Sequence, residues 1–266
     1  MIPKKIHYCW FGKGKKSNLI NSCIESWEKY CPDWEIIEWN ESNFDIHQLP
    51  YMEEAYEQKK WAFVSDMARL MILYEHGGIY LDTDVELLKP INENILKYDS
   101  IFPFEIEVRI NTGMGFASKQ YNPIIKALID DYKDRHFIRK NGSLNLEACP
   151  YYNTTVLERL LPELKLDNTH QIIQDNVFIT RAMYNECAIH HYASSWTENP
   201  KTEIGPKQEW KDTKLKTFLR NSKRQQWVRK HLGYKGQRCY EFIAYDLMDV
   251  GLIYFVKRIW EKVRRR

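Results

Sequence analysis

Residues 77–84 (GGIYLDTD) constrain the fold of this chain more than any other segment. The two glycines end a helix predicted over Ala62–Glu75, where apolar residues recur at helical spacing. The apolar run Ile79–Leu81 then predicts a buried strand that leads into Asp82 and Asp84. Carboxylates at i and i+2 of an extended segment lie on one side of it, about 6–7 Å apart. We therefore expect both at the carboxyl end of a strand, where open α/β sheets bind ligands.

The N-terminal part of the chain predicts a β-α-β unit. Apolar runs indicate strands at Lys5–Trp10 and Trp34–Trp39, and Ser17–Tyr30 between them has helical spacing with Ser17 as the N-cap. This alternation favours an open α/β sheet flanked by helices. Further helices are predicted over 123–132 and 154–161, and a last strand over 188–192.

The net charge of +3 hides two regions of opposite sign. Residues 211–266 hold 16 basic and 5 acidic side chains (+11), and residues 1–210 hold 23 and 31 (−8). We place a boundary in the polar segment 197–212 and predict two parts, a domain over 1–210 and a basic helical extension over 211–266. The extension is typical of an interfacial membrane anchor, although a packing helix with a solvated charged face remains the alternative. No nucleic-acid-binding motif accompanies the charge, so we expect no nucleic-acid partner.

Three features of the sequence bear on location. No apolar run reaches the length of a membrane span. The first residues lack the long apolar segment and cleavage site of an export signal. The six cysteines show no C-x-x-C spacing and are interpreted as reduced thiols. We expect a cytoplasmic protein, held peripherally at the inner face of the membrane by its basic extension.

Two groups of polar residues near the GGIYLDTD segment suggest chemistry. Asp82 and Asp84 offer hard oxygen ligands suited to Mg²⁺ or Mn²⁺, unless they are a solvated strand end. Asp66 and Arg69 stand at i and i+3 on the preceding helix. They form either an ordinary ion pair or a rigid pair that binds sugar hydroxyls.

Two further segments are candidates for the same site. Adjacent histidines on a strand face opposite ways, so only one of His190 and His191 could complete a metal shell; the alternative is one core and one surface histidine. Ser194 and Trp196 follow, with a hydroxyl and an indole N–H that can bind phosphate oxygens. Trp10, at the end of the first strand, either stacks on a nucleobase or packs in the core.

The chain resembles glycosyltransferase family 32 in three segments that occur in the same order. These are residues 3–12 (PKKIHYCWFG), 61–70 (WAFVSDMARL) and 77–84 (GGIYLDTD). This family occurs in bacterial capsule and surface-polysaccharide clusters and is distantly similar to the clostridial glucosylating toxins. The resemblance covers about Ile2 to Trp196. It implies a glycosyltransferase-A type open mixed sheet flanked by helices. Ala148-Cys149-Pro150 stands where the family often has Thr-Gly-Pro.

The resemblance also implies roles for individual residues. It assigns the metal to both aspartates of the DXD motif and to His191, and the donor sugar to Asp66 and Arg69. Asn111 corresponds to an asparagine near donor and acceptor. The remaining donor-binding positions that it implies are Trp10 on the base, Asp82 on the nucleotide, and Ser194 and Trp196 on the diphosphate.

The resemblance thus implies a metal-dependent retaining glycosyltransferase of capsule or surface-polysaccharide synthesis. It would use Mn²⁺ or Mg²⁺ and a nucleotide-sugar donor, with a UDP-sugar favoured over a GDP-sugar. The expected acceptor is a saccharide, carried on a lipid at an anionic membrane surface. The alternatives are a metal-dependent phosphosugar or nucleotidyl transferase, and a non-catalytic nucleotide-sugar-binding protein of the same fold.

Overall fold

The β-α-β unit predicted at the start of the chain is present in the computed structural model. Strand β1 spans Lys5–Cys9, helix α1 spans Asn18–Tyr30 and strand β2 spans Glu35–Trp39. Ser17 caps α1, since its hydroxyl accepts a hydrogen bond from the Ile20 N–H. The buried face of the helix packs in one core cluster with residues of β1 and of the strand Gly78–Leu81, as the predicted unit requires.

The structure describes residues 1–104, 109–166, 170–180 and 187–191. The predicted extension over 211–266 lies outside the described residues. The remaining elements follow in chain order: α2 Pro50–Glu57, α3 Trp61–His76, β3 Gly78–Leu81, β4 Val85–Leu87, β5 Ser100–Pro103, β6 Met114–Ser118, α4 Pro123–Tyr132, α5 Cys149–Leu160, β7 Gln171–Ile173, β8 Val177–Thr180 and β9 Ala188–His190.

Seven strands form one mixed sheet in the order β2-β1-β3-β6-β5-β8-β7. Strand β1 is parallel to both β2 and β3, and β6 is antiparallel to β3 and β5. The open mixed α/β sheet expected from the sequence is therefore confirmed. A second, two-stranded sheet joins β4 and β9 in antiparallel register. Among the described residues, no helix has the length and apolar character needed to cross a bilayer.

Helix α3 ends at the predicted double glycine. Gly77 and Gly78 have φ values of +63° and +103°, which side-chain-bearing residues rarely adopt. A Cβ atom on Gly78 would lie 2.9 Å from Nε2 of the buried His7. The glycines thus let the chain turn from the buried helix α3 directly into the central strand β3.

Two local predictions were wrong in detail. Residues 82–84 do not continue the strand, because a turn closes there with a 3.0 Å hydrogen bond from the Val85 N–H to the Asp82 carbonyl. Helix α5 begins at Cys149, five positions before the predicted start at Thr154, because Pro150 starts a helix with no lost hydrogen bond.

Candidate active site

Three neighbouring parallel strands end at the same edge of the sheet. Trp10 follows β1, Asn40 follows β2 and Asp82 follows β3. Since neighbouring strands lie about 4.8 Å apart, the ends of β2 and β3 are about 10 Å from one another. Polar groups that are distant in sequence therefore line one crevice at the carboxyl ends of the strands.

Asp82, Asp84 and His190 form a cluster at this edge. Each residue offers a ligand atom, and the three atoms lie within 4.8 Å of one another. His190 Nε2 is 3.1 Å from Asp84 Oδ1. The turn after β3 brings the two carboxylates closer than the extended geometry expected from the sequence.

The structure brings His190, rather than His191, to the two aspartates. The antiparallel register of β4 and β9 pairs Val85 with His190 and so directs that imidazole toward Asp84. His191 Nε2 instead lies 2.8 Å from Oε2 of Glu86 on β4. The two histidines face opposite ways, as expected, but the one assigned to the metal by the resemblance is paired elsewhere.

Arg69 links the cluster to helix α3. Its Nη2 atom lies 2.9 Å from Asp66 Oδ1 and 3.2 Å from Asp82 Oδ1. The Arg69 side chain is only 4% exposed, and its guanidinium lies over the ring of Tyr80 at 4.8 Å. The pair predicted on α3 is thus a buried bridge to the DXD motif and not an ordinary surface ion pair.

Burial and charge act against each other in this bridge. Burial raises the pKa of Asp66 above its usual range, although Arg69 lowers it. Burial disfavours the charged form of Arg69, but Asp82, Tyr80 and Asp66 outweigh it and raise the pKa of Arg69 well above its ordinary value. Arg69 therefore stays cationic in this site, as a donor to ligand oxygens requires.

Asn111 lies in a turn that packs against Asp82. Its Oδ1 atom accepts a 2.9 Å hydrogen bond from the Gly113 N–H, and the Gly113 carbonyl accepts one of 2.9 Å from the Asp82 N–H. A Cβ atom on Gly113 would overlap Asp82 Oδ2 and lie 2.9 Å from Arg69 Nη1. Glycine at this position is what allows the close approach.

The first two turns of α5 complete the inner wall of the site, and no motif of the sequence marked them. The thiol and the backbone N–H of Cys149 both lower the pKa of Asp66 as hydrogen-bond donors. The Asn153 amide donates to the Thr112 hydroxyl at 3.1 Å. Pro150 was the available sign that a helix begins at this point.

Trp10 borders a cleft of about 430 Å³ beside this site. Its indole N–H donates to the Gly14 carbonyl at 2.7 Å, and Lys16 Nζ lies 5.5 Å from the centre of its ring. Lys16 also pairs with Glu38 at 2.7 Å. The cleft is lined by Trp10, Lys13, Gly14, Lys16, Glu38, Asn40, Glu41 and Ser42.

The donor set of the cluster fits a divalent cation. Two carboxylates and one imidazole suit Mn²⁺, and two carboxylates with water suit Mg²⁺. Three protein ligands on one side leave coordination positions for phosphate oxygens. Ser194 and Trp196, the other residues expected near the diphosphate, lie outside the described residues.

Residues 17–102 match the sequence profile of the family described as glycosyltransferase sugar-binding region containing DXD motif. This match spans α1 to β5 and includes Asp66, Arg69, Asp82 and Asp84. It confirms the resemblance to DXD-containing glycosyltransferases.

Two curated proteins of Schizosaccharomyces pombe are similar to this chain. Inositol phosphoceramide mannosyltransferase 1 is 26% identical over 166 residues, which are 57% of this chain and 50% of that protein. Inositol phosphoceramide mannosyltransferase 3 is 34% identical over 92 residues, which are 32% of this chain and 24% of that protein. The chain thus spans half the length of the first relative and about a quarter of the second.

Among solved structures, the PaToxG glycosyltransferase is 21% identical with a TM-score of 0.46, covering 60% of this chain and 70% of that one.

Proposed function

Because residues 17–102 match the sequence profile of the DXD-containing sugar-binding region of glycosyltransferases, we propose that the protein transfers a sugar from a nucleotide-sugar donor with retention of configuration. The observation that carries the proposal is the position of Asp82. One carboxylate belongs both to the cluster with Asp84 and His190 and to the bridge with Arg69 and Asp66. A diphosphate and the sugar attached to it need such adjoining sites.

Different side chains of the site would bind the diphosphate and the sugar of the donor. Asp82, Asp84 and His190 would hold Mn²⁺ or Mg²⁺, which neutralises the charge that develops on the diphosphate as the glycosidic bond breaks. Arg69 and Asp66 would donate to and accept from the hydroxyls of the donor sugar. Because both are buried and bound to one another, they orient the sugar with little loss of freedom on binding.

The cleft beside Trp10 is suited to the nucleobase. An indole offers a stacking surface, and polar side chains after β2 offer partners for the edge of a base. The ends of β2 and β3, about 10 Å apart, lie on either side of β1, so a base in the cleft and a diphosphate at Asp82 would lie along the same edge of the sheet. A UDP-sugar is our first choice of donor and a GDP-sugar the second.

We propose a saccharide carried on a lipid as the acceptor, in the synthesis of a bacterial capsule or surface polysaccharide. The names of both S. pombe relatives specify a ceramide-based acceptor. The charge of +11 over residues 211–266 supports a cytoplasmic protein attached to an anionic membrane surface, because each basic residue near such a surface contributes about 1 kcal/mol.

A donor hydrolysis assay tests the transferase. The purified full chain is incubated with Mn²⁺ and, separately, UDP-glucose, UDP-galactose, UDP-N-acetylglucosamine and GDP-mannose. Release of nucleoside diphosphate and free sugar supports the proposal. Release of nucleoside monophosphate or pyrophosphate supports the phosphosugar or nucleotidyl transferase. Tight binding without hydrolysis or transfer supports the non-catalytic protein.

Variants connect the activity to the site. Asp84→Asn is expected to lower hydrolysis at least 100-fold, whereas Asp33→Asn, in an exposed pair with Lys4, serves as the matched control. Equal activity of the two variants would refute the site. For the extension, co-sedimentation with phosphatidylglycerol vesicles is expected to disappear at high salt, and binding that resists salt would refute an electrostatic attachment.

A further inference from the structure

The second turn of helix α5 holds the segment that packs against Asp82. Asn153 Nδ2 donates to Thr112 Oγ1 at 3.1 Å, and Thr154 Oγ1 accepts from the Ile110 N–H at 2.9 Å. Asn153, Thr154 and Thr112 are all buried, with at most 1% of each residue exposed. Two side chains of one helical turn therefore fix both ends of residues 110–112.

Gly113, the next residue, connects this segment to the site through its contacts with Asp82. The carbonyl of Gly113 binds the Asp82 N–H, and its Cα packs so closely on the Asp82 carboxylate that no Cβ fits. Asp82 in turn lies 3.2 Å from Arg69. A shift of Thr112 of a few tenths of an ångström therefore moves the carboxylate or opens a gap beside it.

The hydrogen bonding of Asn153 indicates that its amide is not there for stability. Its Oδ1 atom is buried and has no hydrogen-bond partner among the described residues. An unsatisfied buried acceptor destabilises a fold, and replacing both partners of a buried hydrogen bond by apolar groups of similar shape is close to neutral. We therefore attribute the presence of an amide side chain at position 153 to its hydrogen bond with Thr112.

The first residue of the same helix lies near the other end of the Arg69 bridge. Burial raises the pKa of Asp66, and hydrogen bonding to the thiol and the backbone of Cys149 lowers it. The Cys149 thiol also lies 3.9 Å from Thr112 Oγ1, within hydrogen-bond range for sulfur. Helix α5 therefore borders Asp66 directly and Asp82 through residues 112 and 113.

We propose that Asn153 is a positioning residue, which acts through Thr112 and Gly113 to keep Asp82 in the geometry shared by the metal ligands and the donor-sugar site. The inference rests on the proposed function and extends it to α5, a helix that carries none of the motif residues. Asn153 itself touches no reacting group, and its effect is entirely on the placement of Asp82.

The test separates activity from stability. The variants are Thr112→Val, Asn153→Leu and their combination, assayed for hydrolysis of the fastest donor among the four nucleotide-sugars above, with Mn²⁺. The double variant is expected to melt within a few degrees of the wild type or above it, while kcat falls at least tenfold. Thr112→Ser keeps the hydroxyl and is expected to retain most of kcat. Thr155→Val, on the exposed face of the same helix, is the matched control and is expected to leave kcat unchanged.

Two results would overturn the inference. One is a double variant with the kcat of the wild type, and the other is a loss of kcat that only parallels a fall in melting temperature. If the wild type hydrolyses no donor, the proposed function fails, and a crystal structure of the double variant decides the inference by itself. An Asp82 to Arg69 separation that stays near 3.2 Å then overturns it, and one beyond about 4 Å, where an ion pair is lost, supports it.

Discussion

His190 Nε2 lies 3.1 Å from Oδ1 of Asp84, although 106 positions separate the two residues in the chain. The contact depends on the two-stranded sheet of β4 and β9, whose register places His190 opposite Val85. His191, one position later, binds Glu86 instead. The two adjacent histidines therefore allow a matched comparison.

His190→Ala is expected to weaken Mn²⁺ binding by at least the roughly 10- to 100-fold that follows loss of a partner outside the metal shell, because the site loses one of its three direct ligands. His191→Ala removes the same side chain volume but breaks only the pair with Glu86, so a smaller loss is expected. Isothermal titration with Mn²⁺ measures both. Equal affinities of the two variants would exclude His190 as a ligand.

Arg69→Lys is expected to lower kcat of donor hydrolysis about 100-fold. Lysine keeps the positive charge but cannot reach Asp66 and Asp82 with a planar fork while stacking on Tyr80. Arg69→Ala leaves two carboxylates without their shared partner and is expected to lower the free energy of unfolding by about 3 kcal/mol.

The matched control for Arg69→Lys is Arg135→Lys, and that for Arg69→Ala is Arg135→Ala. Arg135 also pairs with an aspartate, Asp131 at 2.6 Å, and stacks on the ring of Tyr152 at 3.7 Å. Urea unfolding and the hydrolysis assay compare the two positions. If Arg135→Lys lowers kcat as much as Arg69→Lys does, the ion pairs of Arg69 with Asp66 and Asp82 have no specific role in the reaction.

The part of the site that is local in sequence was predictable. Helical spacing and the double glycine placed Asp66, Arg69, Asp82 and Asp84 on α3 and after β3, where the structure has them. Short-range periodicity carries that information because each element is built from near neighbours.

The remaining part depends on contacts between distant segments. The choice of His190 over His191 is set by pairing with β4, which no local pattern of residues 188–192 encodes. The approach of Gly113 to Asp82 and of Cys149 to Asp66 likewise arises only when β6 and α5 are in place. Only the start of α5 had a local sign, Pro150, since proline is favoured in the first turn of a helix.

Gly113→Ala is expected to lower kcat about 100-fold while the protein stays folded. The backbone of Gly113 does not need a positive φ, so alanine is conformationally tolerated, but its methyl group would displace the Asp82 carboxylate. Combining Gly113→Ala with Asp82→Ala tests whether Gly113→Ala lowers kcat by displacing the Asp82 carboxylate. The double variant should be no less active than Asp82→Ala alone, and a further loss would show that Gly113 acts on something else.

The stability of the fold is expected to fall with acidification below pH 6.5 because of His7. Burial lowers the pKa of this side chain from about 6.5 to about 4, since its ring is enclosed by Trp39 of β2 and His76 at the end of α3. The Gly77 carbonyl, 2.9 Å from Nε2, opposes that shift only in part. Nδ1 accepts the indole N–H of Trp39 at 3.0 Å, so the native state requires the neutral ring.

The sign follows from the two protonation states. In the unfolded chain His7 takes up a proton near pH 6.5, whereas the folded chain resists it until about pH 4, so the unfolded state binds more protons between these values. The contribution of His7 is complete above pH 6.5 and declines as the pH falls, to a total of about 3 kcal/mol. Urea unfolding of the wild type and of His7→Gln, measured from pH 7.5 to pH 5, isolates it, because the other titrating groups are common to both proteins. The difference in unfolding free energy between the two proteins should shrink steadily below pH 6.5. A difference that stays constant would mean that the pKa of His7 is the same in the folded and unfolded states.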